Sequence, residues 1–161
     1  MQRAALRITA SHPDVQSTSR TYNAAGTTGT YGQYIPSLPS AQAVEPGLVG
    51  SLLQLQENDS FRSNVGAVNV TALTVQLEVD LYRGSGNLVG VRTETLLPFE
   101  MVQVDRIFST VGAGAVDSGY ATVKVQTAGG KVLAYASVVD NDSGDPIFIP
   151  AQILTPGTPF R

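Results

Sequence analysis

The chain has 161 residues, of which 42% are hydrophobic and only 14% are charged, and its formal net charge is −3. This length is ample for one domain with its own core. The sequence has no basic cluster that would bind phosphates, so we expect no nucleic-acid partner and no anionic membrane surface. No apolar run approaches the roughly 18 residues of a membrane span, and the zero cysteines exclude disulfides and thiolate metal sites.

Short apolar segments separated by turn signals predict a chain built almost wholly of strands. The clearest segment is TVQLEVDLY, in which Val75, Leu77, Val79 and Leu81 alternate with polar residues, so one face of the strand should be buried. One helical turn is expected, at residues 105–108. The predicted strands cover residues 5–9, 15–22, 30–35, 48–56, 61–70, 74–82, 88–97, 101–104, 120–127, 131–140 and 147–149.

Short loops of turn-forming residues between neighbouring strands predict antiparallel hairpins. In the strand over residues 48–56, Leu53 and Leu55 are expected to share a face. No helical period is sustained, so the predicted fold class is all-β, an antiparallel Ig-like β-sandwich with an extra N-terminal hairpin. The three predicted hairpins join residues 5–9 to 15–22, 74–82 to 88–97, and 120–127 to 131–140.

Two distant parts of the chain follow the same order of elements, which suggests an internal repeat. ALRITASHPDVQSTSRTYN followed by YGQYIP matches ATVKVQTAGGKVLAYASVVDN followed by DPIFIP, and both end in Ile-Pro. The alternative is a single sandwich whose N-terminal hairpin joins its own sheets. The repeat interpretation divides the chain into a C-terminal remnant of a first repeat (residues 1–39), a connector (40–46), a complete module (47–152) and an extended tail (153–161).

Three motifs carry a resemblance to a known family: GTYGQYIP at residues 29–36, FRSNVGAVN at 61–69 and AYASVVDNDSGDP at 134–146. Together they resemble the tandem Ig-like β-sandwich modules of bacterial secreted and surface proteins. The resemblance implies an extracellular or cell-surface, non-catalytic module, and it supplies no ligand or catalytic residue. The first residues lack the apolar core of a secretion signal. We therefore expect that a signal was removed or that the chain is a piece of a longer one.

An acidic turn is the candidate metal site, because Asp140, Asp142 and Asp145 place three carboxylates within six residues. Ca²⁺ takes about six to eight oxygen ligands, and such a loop could supply several. The spacing lacks the full EF-hand pattern and its bidentate glutamate. Asn, Asp and Gly are also the residues of ordinary tight turns. A structural turn is the favoured interpretation, calcium is the alternative, and no other cofactor is expected.

His12 is the only histidine of the chain, and there is no cysteine. A His-based triad or a zinc site would therefore depend on one turn residue, so we interpret His12 as solvent-exposed and predict no enzyme. The six tyrosines and five phenylalanines could form a sugar-stacking platform. Aromatic side chains on strands more often fill the core or cover their cross-strand neighbours.

The N-terminal hairpin is the candidate interface, because a bare hairpin cannot bury a face alone and its free edges accept a partner strand. We predict a structural or adhesive module that self-associates into a homo-oligomer or filament by strand exchange or addition. The alternative is a carbohydrate- or peptide-binding module, with or without a dependence on Ca²⁺, whose partner is a surface glycan or protein. The predicted interface residues are Leu6, Ile8, Val15, Tyr22, Tyr34 and Ile35.

Overall fold

The computed structural model describes residues 4–12, 14–23 and 31–154. Alternating apolar and polar residues form strands there, because successive side chains of a strand point to opposite faces. In chain order the strands are β1 (Thr18–Asn23), β2 (Tyr31–Pro36), β3 (Val49–Glu57), β4 (Phe61–Asn69), β5 (Val75–Arg83), β6 (Leu88–Leu96), β7 (Met101–Val104), β8 (Val116–Val125), β9 (Val132–Asp140), β10 (Pro146–Pro150) and β11 (Gln152–Leu154).

Helical structure in the described residues is limited to two short 3₁₀ turns, at Ser40–Gln42 and Ser109–Val111. The single helical turn predicted at residues 105–108 is therefore wrong in its position and in its number. No helix of the described residues is long and apolar enough to cross a membrane.

Two large antiparallel sheets face each other, and a two-stranded sheet lies beside them. The five-stranded sheet has the order β11-β3-β8-β5-β6, and the four-stranded sheet has the order β10-β9-β4-β7. The small sheet pairs β1 with β2. The predicted all-β antiparallel sandwich is confirmed.

The core fills the space between the two large sheets. From β5, Val75, Leu77, Val79 and Leu81 are all buried, as their alternation predicts. Burial of one such side chain contributes about 1.5–3 kcal/mol. Every buried hydrophobic residue of the described chain lies between Ala43 and Val139. The sandwich therefore has a complete core without the N-terminal segment.

The hairpin predicted for residues 120–127 and 131–140 is wrong, because β8 and β9 lie in different sheets. The connection between them crosses from one sheet to the other as an arch, with Gly129 at a φ of 75° in the turn. A hairpin and an arch both leave alternate residues of each strand buried, so periodicity alone does not distinguish them.

The hairpin predicted for residues 5–9 and 15–22 is also wrong. Residues 5–9 form no strand, and β1 pairs instead with β2, from Thr18 opposite Pro36 to Asn23 opposite Tyr31. The connection between β1 and β2, residues 24–30, lies outside the described residues. A turn signal marks where a chain bends, but it does not decide which strand becomes the partner.

Strand β3 contains a bulge that overturns the prediction for Leu53 and Leu55. Gln54 has a φ of 59°, and the step from Leu52 to Leu55 spans three residues on β3 but two on β8. One extra residue in a strand reverses which side chains face the core. Leu52 and Leu55 are consequently buried, whereas Leu53 is exposed.

Ordered structure continues into the predicted connector and the predicted tail. Val44, in the connector, exchanges two backbone hydrogen bonds with Val132, of 2.8 and 3.0 Å. At the other end, Leu154 of β11 lies opposite Val49 of β3. The rest of the tail, residues 155–161, lies outside the described residues.

Candidate functional site: an exposed N-terminal segment

The N-terminal hairpin β1–β2 lies against the edge strand β10 of the four-stranded sheet. Because side chains alternate along β2, Gln33 and Ile35 share one face of the hairpin and Tyr34 lies on the other. The amide of Gln33 donates to the hydroxyl of Ser137 on β9 over 3.1 Å. Gln33 and Ile35 therefore mark the face that is turned toward the sandwich.

Most of the predicted interface residues are strongly exposed. Leu6 retains 88% of its accessible surface, Tyr22 66%, Ile8 61%, Tyr34 60% and Val15 55%. Exposed large apolar residues scattered singly are ordinary, but a concentration of them is typical of an interaction surface.

Two of the tyrosines share one surface of the hairpin. Tyr22 lies opposite Gly32 and Tyr34 lies opposite Arg20, so both rings project from the face away from the sandwich. Ile35, the sixth predicted interface residue, is half-buried on the other face. The structure thus brings Tyr22 and Tyr34 onto one surface, while Leu6 and Ile8 lie in a segment that precedes the hairpin.

His12 lies in an exposed turn, as predicted. Its Nδ1 accepts a 3.3 Å hydrogen bond from the backbone N–H of Asp14 and lies 3.5 Å from the Asp14 carboxylate. Both side chains are largely exposed. A pair so open to solvent offers a substrate no enclosed surface.

The acidic turn is organised around Asp140. Its Oδ1 accepts the backbone N–H of Asp142 at 2.9 Å and that of Ser143 at 2.8 Å. The hydrogen bond from the Ser143 backbone, assisted by the Ser143 hydroxyl, lowers the pKa of Asp140. Among the described residues, no three His, Cys, Asp or Glu side chains gather as a possible metal site. The Asp140 carboxylate therefore organises the turn, and calcium binding through Asp140, Asp142 and Asp145 stays a prediction.

The outer face of the five-stranded sheet holds a polar cluster that the sequence did not predict. Lys124 Nζ lies 2.5 Å from Asp80 Oδ2 and 3.1 Å from Glu78 Oε1. Asp80 is buried although its side chain points away from the core. The hydrogen bond to Asp80, followed by that to Glu78, raises the pKa of Lys124. The alternation of β5 indicated that Asp80 faces outward, but only the register of β5 against β8 brings Lys124 beside it.

Two tyrosines stack on the same outer face. Tyr82 and Tyr120 lie opposite each other on β5 and β8, with ring centroids 4.7 Å apart and planes 7° from parallel. Each ring therefore covers one face of the other. This arrangement stabilises the pair and reduces the aromatic surface that remains open to a sugar.

The chain was compared with known proteins at three levels. No protein-family model, no curated protein and no solved structure matches it. A functional proposal therefore depends on the residues and the geometry of this chain.

Proposed function

We propose that this chain is a non-catalytic, extracellular structural module that self-associates through residues 1–39. The observation that carries the proposal is the exposure of Leu6, Ile8, Val15, Tyr22 and Tyr34 outside a sandwich whose core is already complete. Moving a large apolar side chain from water into an interface contributes roughly 25 cal/mol per Å² of apolar surface. The extracellular location rests on the motif resemblance.

The repeat interpretation receives support from the pairing of the strands. Two antiparallel pairs correspond, β1 with β2 and β9 with β10. Each pair ends in Ile-Pro, at Ile35-Pro36 and at Ile149-Pro150. In the sandwich the second pair is completed by β4, which adds to β9. In the described chain β1 pairs only with β2, and a strand from another copy would supply the missing neighbour.

The solution mass over a range of concentrations tests the proposal, measured by light scattering after size exclusion. A dimer or a growing polymer is the expected result for the full chain. Removal of residues 1–39 should give a folded monomer, because the core lies entirely between Ala43 and Val139. A full chain that stays monomeric, or a truncated chain that still assembles, would contradict the proposal.

Point variants make the same test without a deletion. Leu6→Asp combined with Ile8→Asp places two charges in the exposed segment, where neither contributes to the core. The expected result is loss of assembly with an unchanged melting temperature. Leu73→Asp, at an exposed leucine of the sandwich itself, is the matched control and should leave assembly intact.

A carbohydrate- or peptide-binding module is the second candidate, and it would use the exposed edges of a tyrosine pair or the acidic turn. Tyr82 and Tyr120 are both partly exposed beside the exposed side chain of Leu88. A glycan array, together with melting scans with and without Ca²⁺, tests this candidate. Binding that is lost in Tyr82→Ala, or a Ca²⁺-induced rise in melting temperature that is lost in Asp140→Asn, would support it.

A further inference from the structure

The two large sheets end in four edge strands, and these differ in how well they are protected. β11 has three residues and β7 has four, while β10 begins and ends with a proline. Short edge strands and prolines both prevent another strand from pairing. β6 has nine residues and no proline. It is the longest edge strand of the two large sheets, and its protection is restricted to the inward-facing charges of Arg92 and Glu94 and a bulge beside Leu81.

The hydrogen bonds of β5 determine which backbone N–H and C=O groups of β6 point away from β5. Gln76 directs its backbone away from β6: its carbonyl accepts the N–H of Gln126 at 2.9 Å, and its N–H donates to Thr127 Oγ1 at 2.9 Å. Backbone groups of successive residues in a strand point to alternate sides. The odd-numbered residues of β5 therefore bond toward β6, and their partners there are Gly90, Arg92 and Glu94.

The residues between those partners point their backbone groups away from β5. By the same alternation, Val91, Thr93 and Thr95 present three N–H and three C=O groups along the open edge. Their side chains lie on the outer face of the sheet, where Val91 is 47% exposed and Leu88 is 54% exposed. The edge of β6 thus offers both hydrogen bonds and apolar contacts to an added strand.

Residues 5–9 have the properties of a strand that lacks a partner. Leu6 and Ile8 alternate with Arg7, and no residue of this segment belongs to a strand. Charge favours contact with the sandwich of another copy. Residues 1–39 hold three arginines and one aspartate, a formal charge of +2, and since the whole chain carries −3, residues 40–161 carry −5.

The hairpin that follows residues 5–9 and the accepting edge strand β6 lie on opposite sides of the sandwich. Ala151 alone separates β10 from β11, so the edges formed by these two strands lie on the same side. The hairpin β1–β2 contacts β10 on that side. β6 ends the five-stranded sheet at the other side from β11. A segment that leaves one side and binds the opposite side of its neighbour makes a head-to-tail contact, and such contacts repeat into a ring or an open filament.

We propose that residues 5–9 of one copy add as an extra strand to the free edge of β6 in a second copy, building a head-to-tail assembly. Leu6 and Ile8 lie on the outer face beside Val91 and Leu88, and the backbone bonds to Val91, Thr93 and Thr95. This inference rests on the proposed self-association and names the surface that receives the segment.

Disulfide cross-linking tests the contact, and the absence of native cysteine makes it specific. Full-length Ile8→Cys is mixed with full-length Val91→Cys, Thr93→Cys or Thr95→Cys under mild oxidation by oxidised glutathione. Cysteines on facing strands meet the geometric requirement for a bond only in the correct register. Ile147→Cys, on the edge strand β10 and also exposed to solvent, is the control.

The expected result is a mixed disulfide of Ile8→Cys with at least one β6 cysteine and not with Ile147→Cys. Light scattering should show a series of masses that grows with concentration. An assembly that cross-links no β6 cysteine, or that stops at a discrete dimer, would contradict β6 as the strand that receives residues 5–9. Self-association itself would still hold. A monomer at all concentrations would overturn self-association itself.

A proline on the edge gives an independent test. Thr93→Pro removes an outward N–H without breaking the ladder to β5. We expect it to weaken assembly by about tenfold or more, whereas Thr93→Ala, which keeps the N–H, should assemble like the parent chain. Equal assembly by a folded Thr93→Pro chain would contradict strand addition at β6. The cysteine pairs decide the question if this variant does not fold.

Discussion

The side chain of Gln33 donates a hydrogen bond to Ser137 over 3.1 Å. This hydrogen bond joins the N-terminal hairpin to strand β9 of the sandwich. Gln33→Ala should loosen the hairpin, because it removes a bond worth about 0.5–1.5 kcal/mol. Hydrogen exchange at the backbone amides of β1 and β2 should become faster, while exchange in β4 and β5 stays slow.

The control is Gln42→Ala, at an exposed glutamine in the 3₁₀ turn that follows β2. It should leave exchange in the hairpin unchanged. Equal protection of β1 and β2 in the parent chain and in Gln33→Ala would show that this bond does not hold the hairpin.

Asn69, at the end of β4, joins two turns from a buried position. Its amide donates to the carbonyls of Leu73 at 2.7 Å and Leu97 at 2.9 Å, and its carbonyl accepts the N–H of Thr71 at 2.9 Å. Asn69→Ala leaves these partners unsatisfied and should destabilise the fold by about 2–4 kcal/mol. Urea unfolding measures the change. Thr95→Ala, on an exposed edge, should stay within about 0.5 kcal/mol of the parent, and a similarly small change for Asn69→Ala would contradict this role.

Gln54 is a non-glycine residue in the left-handed region, at a φ of 59°. That conformation costs a residue with a Cβ about 1–2 kcal/mol, and glycine avoids the cost but loses more chain entropy on folding. Gln54→Gly should therefore raise the free energy of unfolding by about 0.5–1 kcal/mol. Gln76→Gly, in the regular part of β5, is the matched control and should lower it by a similar amount. Destabilisation by Gln54→Gly would indicate that the side chain of Gln54 does more than tolerate the bulge.

Lys124 makes the stability of the chain sensitive to alkaline pH. Its pKa is raised above 10.5, chiefly by the hydrogen bond to Asp80. A group whose folded pKa is raised contributes stability that is complete below its unfolded pKa and is lost as the pH rises through the folded pKa. Stability should therefore fall above about pH 10.5. The effect should be modest because the ammonium group is partly exposed.

Lys124→Met should abolish this part of the pH dependence. Lys124→Arg should keep the stabilisation above about pH 10.5, because arginine stays charged there. Denaturant unfolding between about pH 9 and 11.5 compares the free energy of unfolding of the three chains. If the free energy of unfolding changed with pH in the same way in the parent chain and in Lys124→Met, the link between Lys124 and alkaline stability would be contradicted.

Local patterns in the sequence predicted the strands well and predicted their partners less well. The alternation of Val75, Leu77, Val79 and Leu81 identified the buried face of β5, because burial of one face imposes a period of two. The same period cannot show whether β8 turns back within its sheet or crosses to the opposite one. Neither could it reveal the bulge at Gln54, since glutamine carries no signal for a positive φ.

Only part of the candidate surface was predicted, because sequence patterns identify apolar segments but not the strand order. The apolar residues of the N-terminal segment were recognisable as a group, and Leu6, Ile8, Tyr22 and Tyr34 are exposed. The open edge of β6 could not be recognised, because whether a strand lies at the edge of a sheet depends on the strand order. The cluster of Asp80 with Lys124 likewise depends on a register that joins residues 44 positions apart.

The pairing of β11 with β3 has a mechanical consequence. β11 runs antiparallel to β3, and Leu154 lies opposite Val49, so the chain enters β3 and leaves β11 at the same end of the sandwich. A pulling force applied at these two points would load one pair of backbone hydrogen bonds at a time, as a zipper opens, instead of shearing the whole ladder at once. With three residues in β11, the first step of extension under tension would be the release of this strand.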